Sequence, residues 1–191
     1  MKKVGIAILT WFVLFGCTVQ VGFSYWIFSR IFVEPQATIF AAIFNLLLAI
    51  PLVLTHKKLS EKIFSLKPRW NWFLYVILLI AAIFVPFHYH INLPVSVYII
   101  FITVSVFWQN YITFGLLHTY LRERFSLRMT MLIITALFIS AHLIFIPDFW
   151  YKPMNIVFVL ILAPLFTYLK EKTGTLHLPI FIHLLFYFIM S

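Results

Sequence analysis

The chain has 191 residues, 64% of them hydrophobic, 20% aromatic and only 10% charged, with a net charge of +9. A soluble domain is nearer half apolar and a quarter charged, so this composition excludes a soluble fold and predicts a polytopic membrane protein. It also argues against nucleic acid as a partner, because the basic residues punctuate apolar runs and form no basic patch.

Met1-Lys2-Lys3 leads into an apolar run over 4–28, long enough for a first span. Leu14-Phe15-Gly16-Cys17 imitates a lipoprotein signal. The run continues past Cys17, however, and Phe15 is bulky for a cleavage site, so an uncleaved span is expected. Cys17, the single cysteine, reads as a small apolar filler and excludes an internal disulfide. A turn at 30–36 precedes a second span over 38–54, which contains Asn45 and Pro51. A basic loop at 56–69 leads to a third span over 70–86, and a Phe-His-Tyr-His-Ile-Asn turn follows at 87–92. A fourth span runs from 94 to 120. The fifth covers 129–146 and is closed by Pro147-Asp148, the sixth covers 154–169, and the seventh covers 176–190.

With these spans, Lys2, Lys3, the five basic residues of 56–69, Arg122, Arg124, Arg128, Lys170 and Lys172 all fall on one side. Only Arg30 and Lys152 fall on the other. The positive-inside rule then predicts a cytoplasmic N-terminus, an extracytoplasmic C-terminus and a multi-pass plasma-membrane protein. The expected fold is all-α: a single transmembrane domain, 1–191, built as a bundle of about seven helices.

The fourth span carries Gln109, Asn110, Thr113 and His118 where lipid would favour leucine. On a regular helix the first three fall within an arc of about 100°, with His118 about 80° beyond. Such a stripe must face protein or a cavity, because unpaired amides in hydrocarbon cost several kcal/mol each. The five carboxylates, Glu34, Glu61, Glu123, Asp148 and Glu171, all lie in loops or at span ends. That speaks against a coupled transporter or an acid-dependent intramembrane hydrolase. Two histidines do lie in mid-span, His142 in Phe138-Ile-Ser-Ala-His142 and His183 one turn before Tyr187. Neutral imidazole is the cheap form to bury, so both are expected to stay uncharged and able to act as general bases. His88 and His90 read as solvated loop residues. At about 1.5 Å per residue, straight helices place Gln109 and His183 about 10 Å from the cytoplasmic edge and His142 nearer the outer one.

Over residues 95–191 the pattern resembles the CPBP family (CAAX protease and bacteriocin-processing, or Abi). Its peptidases carry Glu-Glu-x-x-x-Arg, then Phe-x-x-x-His, then His-x-x-x-Asn. Here Gln109-Asn110 and Phe114 stand at the first motif, Phe138 and His142 match the second, and His183 with Tyr187 stands at the third. The resemblance implies a metal site in the peptidases, but this chain has amides for both acids and a tyrosine for the asparagine. Amides are poor zinc ligands, so neither metal nor cofactor is expected and metal-dependent proteolysis is disfavoured.

The retained histidines suit acyl transfer. One would take a proton from an amine or hydroxyl while Gln109, Asn110 or Tyr187 donates to the oxyanion. The candidate catalytic set is therefore His142, His183, Gln109, Asn110 and Tyr187. The resemblance points to lipidated polypeptide ends as substrates, with bacterial lipoprotein N-acylation as the best match. The expected partners are membrane lipids and a lipidated protein substrate or a membrane enzyme. The alternatives are a non-catalytic partner or regulator, a bacteriocin-immunity protein, or a residual CAAX-type peptidase drawing on a loop acid such as Glu123.

Overall fold

The computed structural model describes residues 2–17, 22–146, 149–151 and 153–191. Pro147, Asp148 and Lys152, assigned above to the outer side, lie outside the described residues. Every regular element among those described is helical. The helices are α1 (Lys2–Phe15), α2 (Phe23–Phe28), α3 (Gln36–Thr55), α4 (Lys57–Ile63), α5 (Asn71–Phe84), α6 (Val95–Asn110), α7 (His118–Arg122), α8 (Leu127–Phe145), α9 (Pro153–Thr173) and α10 (His177–Met190). A π-helical segment, Tyr111–Leu117, joins α6 to α7 without a break. Among the described residues four stretches are long and apolar enough to cross a membrane: Gln36–Thr55, Val95–Arg122, Leu127–Phe145 and Pro153–Thr173. Three shorter apolar helices, Lys3–Phe15, Asn71–Phe87 and His177–Met190, occupy the remaining predicted spans.

The fold is organised around Val95–Arg122. Its most apolar window is 61% buried, against 22–33% for the other long helices, so it is the central column and they form the wall. Lipid is as apolar as a protein core, so packing and hydrogen bonds hold such helices together, and small residues mark the interfaces. α3 turns Ala41, Asn45 and Ala49 inward, one per turn, and packs on α6. Leu46, Leu47 and Ile50 of α3, and Leu79, Ile80 and Ile83 of α5, stay exposed and make the lipid-facing surface.

Two elements differ from the sequence reading. The run 4–28 is not one helix: α1 ends at Phe15, and the chain turns at Gly16 and Cys17 before α2. Gly16 O accepts from Phe23 N at 2.6 Å, and a Cβ on Gly16 would sit 2.9 Å from the Phe23 ring. Only glycine lets the returning chain approach so closely. The segment 56–69 is also not simply a loop, because it contains α4. Ser60 on α4 hydrogen-bonds the Tyr111 hydroxyl at 2.8 Å, fixing this helix to the central column.

Two further histidines, His177 and His88, are tied into the structure. His177 is 2% exposed, its Nε2 donating to Ser65 O at 2.9 Å and its Nδ1 accepting from the Tyr75 hydroxyl at 2.6 Å. This clamps α10 to α5 and to the chain after α4. Tyr75→Phe will leave Nδ1 without its donor and cost about 1–2 kcal/mol, read as a lower thermal unfolding midpoint in detergent. His88 is not freely solvated, since its Nε2 donates to Phe188 O at 2.8 Å and closes the turn onto α10. His90 is exposed, as expected of a loop residue.

Candidate active site

A cavity of about 360 Å³ opens between α6, α8, α9 and α10. Gln109, His142, His183 and Tyr187 all line it, so four of the five candidate residues converge from three helices. Ser105, one turn before Gln109, and Asn155, near the start of α9, also face it. Asn155 was missed by the sequence reading, because a lone asparagine at a span edge carries no periodic signal.

The convergence corrects the depth count, which had separated His142 from Gln109 and His183. That count took α10 to start at the membrane edge. Instead Leu176 and His177 are already buried, and Leu176 N donates to Ile63 O at 2.9 Å. α10 therefore begins inside the bundle, and His183 reaches the level of His142.

The hydrogen bonds determine where the ring protons sit. His142 Nδ1 lies 2.7 Å from Phe138 O. A carbonyl only accepts, so Nδ1 carries the proton and Nε2 keeps its basic lone pair. Asn110 Nδ2 lies 2.8 Å from Val106 O and 2.9 Å from His183 Nδ1. The carbonyl fixes that amide atom as the NH₂ group, so His183 Nδ1 must accept and its Nε2 carries the proton. The cavity thus holds two opposite tautomers: His142 presents a base, and His183 presents an N–H donor. Neither Nε2 has a hydrogen-bond partner among the described residues.

Asn110 does not line the cavity. Both of its donated bonds are used behind His183, so it positions the ring and is not free to donate to an oxyanion. Gln109 Oε1 and Ser105 Oγ are buried without a hydrogen-bond partner, which leaves unsatisfied polar atoms on the α6 wall. Aromatic rings complete the shell. His142 packs against Phe138 at 4.4 Å between centroids and His183 stacks on Tyr187 at 5.4 Å. Phe114, at the arginine position of the first motif, contacts both Phe138 and Phe166, the rings beside the two histidines.

Two residues of the predicted stripe face elsewhere. Thr113 Oγ1 accepts from the Trp11 indole at 2.8 Å, tying the central column to α1. His118 lies beyond the π segment, whose wider turns rotate the following residues off the regular-helix register. Its Nε2 points to Glu171 at 3.4 Å, and Glu171 also pairs with Arg122 at 2.8 Å. This group braces α7 against α9. Two further acids are engaged elsewhere: Glu34 accepts from Thr38, and Glu61 meets Lys57 at an exposed 3.9 Å.

The described donors do not suit a catalytic metal. Among the described residues no carboxylate lines the cavity, and of the two imidazoles only His142 offers a free lone pair. Among the described residues no three His, Cys, Asp or Glu side chains cluster to hold an ion. A catalytic zinc site needs three such protein ligands.

Residues 91–189 match the family model described as type II CAAX prenyl endopeptidase Rce1-like. No curated protein and no solved structure matches the chain. The matched region spans α6 to α10, the helices that enclose the cavity and carry the three motif positions. The chain therefore belongs to the Rce1-like type II CAAX prenyl endopeptidase family, within the CPBP group of helical membrane proteins.

Proposed function

We propose that this protein is a metal-independent acyltransferase acting on lipidated polypeptide ends, of the kind needed for bacterial lipoprotein N-acylation. The observation that carries this reading is the pair of opposite imidazole tautomers in one cavity whose described lining carries no carboxylate. The terminal amine of the polypeptide attacks the carbonyl carbon of an acyl ester held beside it. A C–N bond forms, and the negative charge on the carbonyl oxygen is met by the N–H of His183 Nε2. His142 Nε2 takes the proton from the amine. As the tetrahedral centre collapses, the C–O bond breaks and the same proton passes to the leaving alkoxide. The amide product and an alcohol leave, and both histidines return to their starting tautomers.

The access side fits this substrate. Ile146, Phe149 and Asn155 line the cavity, and they flank the connection between α8 and α9. On the charge distribution above, that connection faces away from the cytoplasm. A lipidated end in the outer leaflet of a bacterial plasma membrane would enter there.

The test is mass spectrometry of lipoprotein N-termini from cells lacking the gene, complemented with wild type or with His142→Ala, His183→Ala. Loss of the N-acyl chain, restored by wild type alone, supports the reading. Unchanged termini would sink it and turn attention to a non-catalytic role beside another membrane enzyme. Asn110 provides a second check. Asn110→Leu frees the His183 ring, so kcat will fall about tenfold, the equivalent of one hydrogen bond, with KM nearly unchanged.

A further inference from the structure

A second groove, of about 420 Å³, lies away from the histidines, between α1, the last turn of α3 and the π segment with α7. Its walls are apolar: Ala7 and Leu14 of α1, Leu52 of α3, and Ile112, Leu116 and Leu117 of the π segment. Trp11 also lines it, its indole held by Thr113. π-helical turns are uncommon and often mark functional positions, and here the π segment forms one whole wall.

One end of the groove is polar. His56 Nδ1 donates to Leu52 O at 3.0 Å, and its Nε2 hydrogen-bonds the Tyr120 hydroxyl at 3.1 Å. Among the described residues Lys3 is the only Lys, Arg, Asp or Glu side chain lining the groove. It is exposed and has no ion-pair partner among the described residues, and no carboxylate lines the groove. An apolar channel ending at an unpaired cation is complementary to an amphiphile with a hydrocarbon tail and an anionic head.

We propose that this groove binds one acyl chain of an anionic phospholipid, with the lipid phosphate against the Lys3 ammonium. The lipid would lie on the face that carries most of the basic residues and would join α1 to the central column. Binding needs no covalent chemistry and is independent of what the histidine cavity does.

The experiment uses the full chain in phosphatidylcholine nanodiscs doped with phosphatidylglycerol bearing a photoactivatable acyl chain. Cross-linked positions are mapped by mass spectrometry. Labels are expected to concentrate on peptides containing Thr10 and Leu116, and to be displaced by unlabelled phosphatidylglycerol. Lys3→Gln should weaken labelling about fivefold, the worth of one interfacial cation. Ala7→Trp, which fills the groove, should remove it, with Thr10→Trp as a second filler should the first not fold. Leu132→Trp, on an exposed lipid-facing position of α8, should leave it unchanged. Labels spread evenly over the lipid-facing helices would overturn the proposal. So would equal labelling from photoactivatable phosphatidylcholine, or labelling indifferent to Lys3→Gln.

Discussion

On the acyl transfer proposed above, His142→Gln will lower N-acylation by on the order of 10²–10⁴-fold, the usual weight of a general base, whereas His183→Gln will keep measurable activity. The asymmetry follows from the tautomers. Glutamine has an N–H that can replace the donor on His183 Nε2, but it has no basic lone pair to replace His142 Nε2. His183→Ala removes the donor altogether and should cost about 10²–10³-fold. The readout is the time course of amide formation on a lipoprotein terminus, with each variant matched for amount in the membrane. The opposite order, with His183→Gln the more damaging, would reverse the roles assigned here. A non-catalytic scaffold would tolerate all three changes, so the same series separates the two classes of function.

The largest stability effect is expected at Trp108. Its side chain is fully buried in the central column, and its indole N–H donates to Leu14 O at 3.1 Å. Leu14 sits in the last turn of α1, where its carbonyl also accepts from Cys17 N at 3.1 Å, so the tryptophan packs against that helix and adds a second bond to its end. Trp108→Ala removes the ring and the donor together and will destabilise by about 3–5 kcal/mol, the range for emptying an aromatic core site. Trp108→Phe keeps most of the dispersion contacts and should cost markedly less. Thermal unfolding midpoints in detergent would check this. Equal midpoints for wild type and Trp108→Ala would show that α1 is not anchored through this residue.

Much of the fold is legible in the sequence, because hydropathy is nearly additive along a span and each apolar run announces itself. The second to seventh predicted spans match α3, α5, α6–α7, α8, α9 and α10 to within a few residues. The first fails at Gly16, where composition stays apolar while the backbone turns. The site is legible in part for a similar reason. A buried histidine or glutamine conflicts with its apolar neighbours and stands out, which is how Gln109, His142 and His183 were found. Asn155 sits at the edge of its span, where a polar residue conflicts with nothing.

The amino-acid sequence alone determined that this is a helical membrane protein, which elements are apolar and, through its resemblance to the CPBP family, which polar residues to compare with that family's motifs. Those properties belong to single residues and short windows, so no packing is needed to read them. Only the tertiary structure decided that Asn110 stands behind His183 and not in the cavity, that His118 turns to Glu171, and that the two imidazoles hold their protons on opposite nitrogens. Each of those depends on which atom from another part of the chain lies within hydrogen-bond reach. A π turn and a helix that starts inside the bundle shift that reach by an amount that no count of residues along one helix can supply.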